Sequence, residues 1–373
     1  MNRRFFIQKL IKAIKAAALL WLLFPSYLVN RLSASEQTDM AKPDVRGMSL
    51  LQIAEQKLHH GNGIFLNLFS DRIKGDIRPI IKWKFFSKNH FKSYYKDEPI
   101  TPVTIDWEPV RQHHGLAVTF IKHSSLMIKD LDQYFLIDPV FSRMFWFVKD
   151  FSPLANSMDD MPRPNHILVT HGHYDHMDKQ SLARLDQNTH IITPLGYDSV
   201  FKDLEMRNRT QLDWFDSYED NGRVFTLLPC NHWTMRNPRT GPNLSLWGSF
   251  LIQTASGFTI YISGDLAYFD YFQELGEAYD IDLAIINLGA YEPRWFMKHS
   301  HMNPSDTLKA FKDLKANHLM IVHWGTFRLG DEPVHFPPIH MKEEMEKYGI
   351  TNQLVDVNHG QTLFYDKFVS GNV

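Results

Sequence analysis

Residues 171 to 176 read His-Gly-His-Tyr-Asp-His and directly follow the apolar run Ile167-Leu168-Val169. Three imidazoles and one carboxylate within six positions, at a predicted strand end, form a pattern suited to holding metal. Imidazole and carboxylate without thiolate suit zinc, iron, manganese or nickel, whereas magnesium or calcium would be met by oxygen alone. Zinc is the first expectation. His171 and His173, two residues apart on an extended or tightly turning segment, can reach one ion, while Asp175 and His176 face elsewhere and could serve a second. Two adjacent cations would make an open, hydrolytic centre.

A two-metal site needs more than four side chains, and three further positions repeat the same placement. His232 follows Leu227-Leu228-Pro229, Asp265 follows Ile260-Tyr261-Ile262-Ser263-Gly264, and His323 follows Leu319-Met320-Ile321-Val322. Each stands just past an apolar run, where loops gather active-site residues from remote parts of a chain. The single cysteine, Cys230, excludes internal disulfides and a thiolate-rich cluster. It follows Leu227-Leu228-Pro229 and reads as a small packed residue more readily than as a nucleophile.

The elements that must position these residues begin near residue 117. Short apolar runs separated by turns predict strands at 117–121, 126–128, 134–137, 166–169, 190–193, 224–228, 249–253, 258–262, 283–287 and 319–322. Helices are predicted near 179–185, 197–205, 268–279, 304–316 and 341–348, with Asn303 or Ser305 capping the fourth. Two runs of strands with helices outside them predict a layered α/β sandwich. The chain has 373 residues, 44% hydrophobic and 13% aromatic, enough for a large core. Its net charge of −2 gives no argument for nucleic acid as a partner, and no clustered basic groove accompanies the histidines.

Two segments outside that body suggest a lipid environment. Arg3, Arg4, Lys9, Lys12 and Lys15 precede an uncharged stretch that ends before Arg31, with small residues at Ser33, Ala34 and Ser35. This stretch is shorter than the ~20 residues that cross a bilayer, so it reads as an export signal, with a membrane anchor, a surface helix or an ordinary buried helix as alternatives. Residues 36–62 read as a linker leading to a peripheral helix around Leu50 to Leu58. Between 72 and 96, eight Lys or Arg alternate with Trp83, Phe85, Phe86, Phe91, Tyr94 and Tyr95, against Asp76 alone among acids. Such a segment suits an anionic lipid surface or a partly buried helix with a basic face. The expected division is 1–35, a hydrophobic signal or anchor; 36–99, a linker and peripheral basic aromatic segment; and 100–366, a hydrolase domain.

The set His171, His173, Asp175, His176, His232, Asp265 and His323 resembles the metallo-β-lactamase superfamily of αββα hydrolases. Trp247-Gly248, Ser263-Gly264-Asp265, the run from Ile286 to Met297 containing Gly-Ala-Tyr-Glu-Pro-Arg-Trp-Phe-Met, and His323-Trp324-Gly325-Thr326-Phe327 look like its N-acyl-phosphatidylethanolamine-hydrolysing phospholipase D branch. The similarity covers approximately residue 64 to Gly360. It implies a four-layer αββα sandwich with two zinc ions per chain: His171, His173 and His232 on one, Asp175, His176 and His323 on the other, Asp265 bridging. It further implies that water between the ions attacks phosphorus, that Asp175 orients this nucleophile, and that Tyr174 and His301 touch the substrate, His301 contacting the phosphate or assisting the leaving group. The implied partners are a phospholipid and a membrane surface, with a homodimer compatible with the branch. Ser300 stands where relatives often carry a longer amide, and Phe120-Ile121-Lys122-His123 replaces the usual Trp-x-Gly-His; both bear on the acyl-chain pocket rather than on the metal set. Two other readings compete: a same-fold hydrolase of a soluble substrate, such as a sugar-phosphate lactone, and a non-catalytic zinc-binding envelope protein.

Overall fold

The computed structural model describes residues 42–70, 78–237 and 240–365. The hydrophobic N-terminal segment and residues 72–77 of the basic aromatic stretch lie outside them.

The strands are β1 (Leu116–Lys122), β2 (Ser125–Asp130), β3 (Gln133–Ile137), β4 (His166–Leu168), β5 (His190–Pro194), β6 (Arg209–Leu212), β7 (Ser217–Asp220), β8 (Arg223–Leu228), β9 (Ser249–Gln253), β10 (Thr259–Ile262), β11 (Leu283–Asn287), β12 (His318–Val322), β13 (Leu354–Val355) and β14 (Thr362–Tyr365). They form two seven-stranded sheets, ordered β14-β1-β2-β3-β4-β5-β6 and β13-β12-β11-β10-β9-β8-β7. Both are mixed. Pairing is antiparallel from β14 through β3 and parallel from β3 to β6; in the second sheet it is antiparallel from β7 to β10 and parallel from β10 to β13.

Alternation along β1 shows the layering. Leu116, Val118 and Phe120 point into the core between the sheets, with Phe225, Phe250, Ile260 and Ile285 of the opposite sheet. Ala117 and Ile121 point outward into a second core that includes Leu182, Tyr197 and Phe201 from the flanking helical segments. A strand covered on both faces must be apolar throughout, which is why the central strands read as unbroken runs. Helices Phe272–Ala278, Pro304–Asp313 and Phe336–Glu346 supply Leu275, Leu308, Phe311, Met341 and Met345 to the main core. The expected four-layer αββα sandwich is therefore the observed architecture.

All ten predicted strands are present. The four that were not foreseen, β6, β7, β13 and β14, are the sheet edges. Edge strands need bury only part of their surface, and Arg-Thr-Gln-Leu and Ser-Tyr-Glu-Asp show no apolar run to read. Asn303 caps its helix as expected, accepting from the Asp306 amide at 2.9 Å, with Pro304 in the first turn. The last long helix starts at Phe336, ahead of the expected 341, because Pro337 and Pro338 fit the first turn, where the missing N–H has no intrahelical partner.

The helix Leu50–Glu55 is more than a peripheral appendage. Leu50, Ile53 and Ala54 are buried in the main core, and the Leu50 amide donates to the Glu274 carboxylate at 2.9 Å. At the end of the sandwich opposite the histidines, buried Arg223 on β8 donates to the Asp130 carboxylate at the end of β2 (2.7 Å), which also accepts from the Ala255 and Ser256 amides. Among the described residues, no helix is long and apolar enough to cross a membrane.

Candidate metal centre

Every expected ligand sits where a strand ends and its loop turns over the same rim of the sandwich. The loop after β4 carries His171, His173, Asp175 and His176; His232 follows β8, Asp265 follows β10, and His323 follows β12. The two sheets thus face each other across the site. Two glycines permit the closeness. A Cβ on Gly264, which has φ +57°, would lie 2.9 Å from the Thr170 side chain, and one on Gly289 would collide with the His323 carbonyl oxygen. His323 itself has φ +69° and donates its amide to the His123 carbonyl at 2.7 Å, joining the end of β12 to the β1–β2 turn.

The donor atoms converge in two groups of four, His171, His173, His232 and Asp265, and His123, Asp175, His176 and His323. In the first, His173 Nδ1 lies 2.9 Å from His171 Nε2 and 3.3 Å from His232 Nε2. In the second, Asp175 Oδ2 lies 3.2 Å from His123 Nε2 and 3.3 Å from His323 Nε2. Asp265 reaches across both, with one oxygen 3.3 Å from His176 Nε2 and 3.9 Å from His171 and His232, and the other 3.3 Å from His323 Nε2.

Supporting contacts decide which nitrogens face inward. His176 Nδ1 lies 2.7 Å from Asp138, which turns its buried Nε2, with no hydrogen-bond partner, toward the other side chains of the site. Thr170 Oγ1 donates to the same carboxylate at 2.6 Å and can accept from His171 Nδ1 at 3.0 Å, again freeing Nε2. His232 Nδ1 donates to the Ser300 carbonyl at 3.2 Å. Outer partners that fix the tautomer of an imidazole are the usual supports of a metal ligand. An orphaned ring nitrogen, lone pairs aimed at common points and two carboxylates, one of them reaching both groups, fit divalent cations of the zinc type. The Asn287 amide donates to Asp265 Oδ1 at 2.9 Å and steadies the shared carboxylate.

Electrostatics agree with this geometry. Burial opposes ionisation of Asp265 and Asp175, yet the imidazoles around them, His323 and His176 foremost, outweigh it and hold both carboxyls well below the usual range. Burial, reinforced by neighbouring histidines, pushes His171 well below its ordinary value. Burial likewise pulls His301 down to about 4, against the attraction of Asp265. His171 and His301 are thus neutral beside ionised carboxylates, the states that ligate metal, whereas at His176 burial is outweighed by Asp265, Asp175 and Asp138, which hold it well above its ordinary value.

The two expected substrate contacts lie at the rim. His301 Nδ1 is 3.9 Å from Asp265, and its backbone carbonyl accepts from Arg294. Tyr174 is 39% exposed, donates its hydroxyl to the Arg236 carbonyl, and stacks under the Arg236 guanidinium at 4.3 Å. Cys230 is buried behind Asp265, where burial pushes its thiol up, so it packs rather than reacts. Asp138, Thr170, Asn287 and the donor role of His123 were not foreseen. Asp138 follows the apolar run 134–137 just as the other site residues follow theirs, so the same signal was present.

Residues 133–324 match the family described as Beta-lactamase superfamily domain. N-acyl-phosphatidylethanolamine-hydrolyzing phospholipase D 1 of Caenorhabditis elegans is 29% identical over 266 residues, 66% of this chain and 74% of that protein. The mitochondrial N-acyl-phosphatidylethanolamine-hydrolyzing phospholipase D of Saccharomyces cerevisiae is 31% identical over 245 residues, 62% of this chain but about half, 52%, of the relative. Among solved structures, a possible metal-dependent hydrolase from Veillonella parvula shares the fold with a TM-score of 0.56 at 18% identity, covering 67% of this chain and 99% of its own. The isothiocyanate hydrolase from Delia radicum gut bacteria does so at 0.55 and 17%, with the same coverage. With two facing mixed sheets, histidines and aspartates gathered on one rim, and just over half its length matched to the family, the chain belongs to the β-lactamase superfamily and is a hydrolase of its metal-dependent kind.

Proposed function

We propose that the protein is a dinuclear zinc phosphodiesterase that hydrolyses N-acyl-phosphatidylethanolamine to an N-acylethanolamine and phosphatidic acid. The observation that carries this reading is the pair of adjacent four-donor groups, with Asp265 of the first also 3.3 Å from His176 and His323 of the second; the substrate class comes from relatives named for that activity. His171, His173 and His232 would hold one zinc, Asp175, His176 and His323 the other, and Asp265 both. Bound there, two zinc ions supply Lewis acidity, making water nucleophilic near neutral pH and neutralising charge on phosphoryl oxygens.

The chain's own residues do the rest. Asp175 accepts a hydrogen bond from the attacking water and orients it toward phosphorus, held in turn by His123. Water oxygen bonds to phosphorus as the bond to the ethanolamine oxygen breaks, and that oxygen leaves with a proton as the alcohol. His301 contacts the phosphate or the leaving oxygen from the rim, with Arg294 fixing its backbone, and Tyr174 lies against the substrate. In this reading 100–366 is the hydrolase domain, 36–99 an accessory segment and 1–35 an export or membrane-anchoring segment. The protein then works at a membrane surface, and a homodimer is compatible with that role.

Incubating the zinc-loaded protein with N-acyl-phosphatidylethanolamine is expected to release both products, with two zinc ions per chain by elemental analysis. Release of diacylglycerol, or turnover confined to a soluble substrate such as a sugar-phosphate lactone, would replace this reading with another.

A further inference from the structure

Two aromatic tips beside the site have no burial to account for them. The loop after β3 carries Phe145-Trp146-Phe147-Val148 between exposed Arg143 and Lys149, with Trp146 89% and Phe147 67% exposed. Folding normally leaves large apolar side chains exposed singly, so adjacent ones on a loop mark a contact surface. This loop is tied to the site: Phe145 stacks on Phe147 and meets the Tyr174 ring at 5.1 Å. The second tip is the helical segment from Arg78 to Phe86, where Phe86 is 80% and Phe85 43% exposed. Its Trp83 is buried against Phe296, in a cluster with Met297, and Lys82 lies over the half-exposed Trp295. That cluster leads directly into His301. The first tip thus stands beside the side of the site that reaches solvent, at His173 and Tyr174, and the second packs on the segment that leads into His301.

We propose that the two tips are a membrane-docking face that enters the headgroup layer of an anionic phospholipid bilayer and seats the mouth of the site on it. The proposal deepens the phospholipid reading and rests on it. The chemistry selects this occupant. Aromatic side chains favour the boundary between headgroups and acyl chains, and the exposed cations Arg143, Lys149, Lys82 and Lys88 around them complement anionic lipid.

The test uses the full zinc-loaded chain with Trp146→Cys labelled by an environment-sensitive fluorophore; Cys230 is 1% exposed and escapes labelling. Vesicles of phosphatidylcholine with about 30 mol % phosphatidylglycerol should blue-shift the probe, and pure phosphatidylcholine should shift it less. A probe at Leu131→Cys, in the β2–β3 turn at the other end of β3, should not respond. No shift at 146, even when the protein sediments with the vesicles, overturns the proposal. Equal shifts at both positions, or a shift at 146 from raising protein concentration alone, which assigns the surface to a second copy of the chain, overturn it as well. The double variant Trp146→Ser, Phe147→Ser should lower turnover of vesicle-borne substrate about fivefold or more, with turnover of the detergent-dispersed lipid within about twofold of the parent. If the parent turns over neither form while the probe at 146 still shifts, the substrate reading has failed and the docking face stands.

Discussion

Among the described residues, histidines and carboxylates converge closely enough to hold a metal ion in two places. At the rim of the sheets, ring nitrogens face one another at 2.9 and 3.3 Å and carboxylate oxygens lie 3.2 to 3.3 Å from them. Where β6 ends, His59, His60 and Asp213 also converge closely enough to count as possible ligands. There, however, Asp213 accepts from His59 at 2.6 Å, His60 at 2.8 Å, Lys57 at 2.7 Å and the Trp214 amide at 2.8 Å. Neighbouring ligand atoms on a tetrahedral zinc, with bonds of about 2.05 Å, stand about 3.3 Å apart. In the first cluster three of the four separations, 3.2 to 3.3 Å, match that spacing and the His171–His173 pair is closer at 2.9 Å, whereas every contact of the second is 2.6 to 2.8 Å, a hydrogen-bond length. The second also includes an ammonium group where a cation would have to sit. Like residue types therefore make a metal centre at one place and a proton-filled clasp at the other, fastening residues 57–60 to the first sheet.

The sharpest way to break the comparison is to remove the shared carboxylate. Asp265→Asn is expected to lower turnover on the order of a thousandfold, about 4 kcal/mol of barrier, and to lower bound zinc, read by steady-state kinetics and elemental analysis. Unchanged activity and metal content would put Asp265 outside the chemistry. Asp138→Asn removes the acceptor that holds His176 Nδ1, and zinc affinity measured by chelator competition should weaken about 10- to 100-fold. At the clasp the signature inverts. Asp213→Ala leaves four donors without their acceptor and should cost about 3 kcal/mol in denaturant unfolding, with zinc content and turnover per folded molecule unchanged. Loss of a zinc equivalent there would mean that the clasp binds metal after all.

The smallest effect is in the pH dependence of stability. Burial opposes ionisation of Asp213, but the hydrogen bonds from His59 and Lys57 prevail and depress its carboxyl. Burial also depresses His59, against the attraction of Asp213. A group whose pKa is lower in the folded state stabilises the fold above its unfolded value and loses that contribution as pH falls. The Tm should accordingly decline below about pH 6.5 through His59 and again below about pH 4 through Asp213. Asp213→Asn should flatten the lower step, and an unaltered acid limb in thermal melts would count against the clasp.

Much of this was legible in the chain because central strands buried on both faces write themselves as apolar runs, and each site residue stands just past one. His171, His173, His232, Asp265 and His323 could be found by that rule alone. His123 could not. It enters the site from the β1–β2 turn at φ +52°, after an irregularity in the pairing between Phe120 and Lys122, and only sheet register brings it to Asp175. The clasp was equally hidden, since His59-His60 and Asp213 are joined by packing of His59 on Trp214 at 4.1 Å rather than by any local motif. Polar edge strands left no pattern because their surroundings do not demand one.

The Arg223–Asp130 contact gives the sandwich a seam that is closed by protein alone at the pole away from the histidines. Cohesion and reactivity are thereby assigned to opposite ends of the same strands. Loops at the reactive end can lengthen, exchange side chains or admit a different substrate while the distant seam keeps the sheets in register, so one scaffold can be retuned for new chemistry without being refolded.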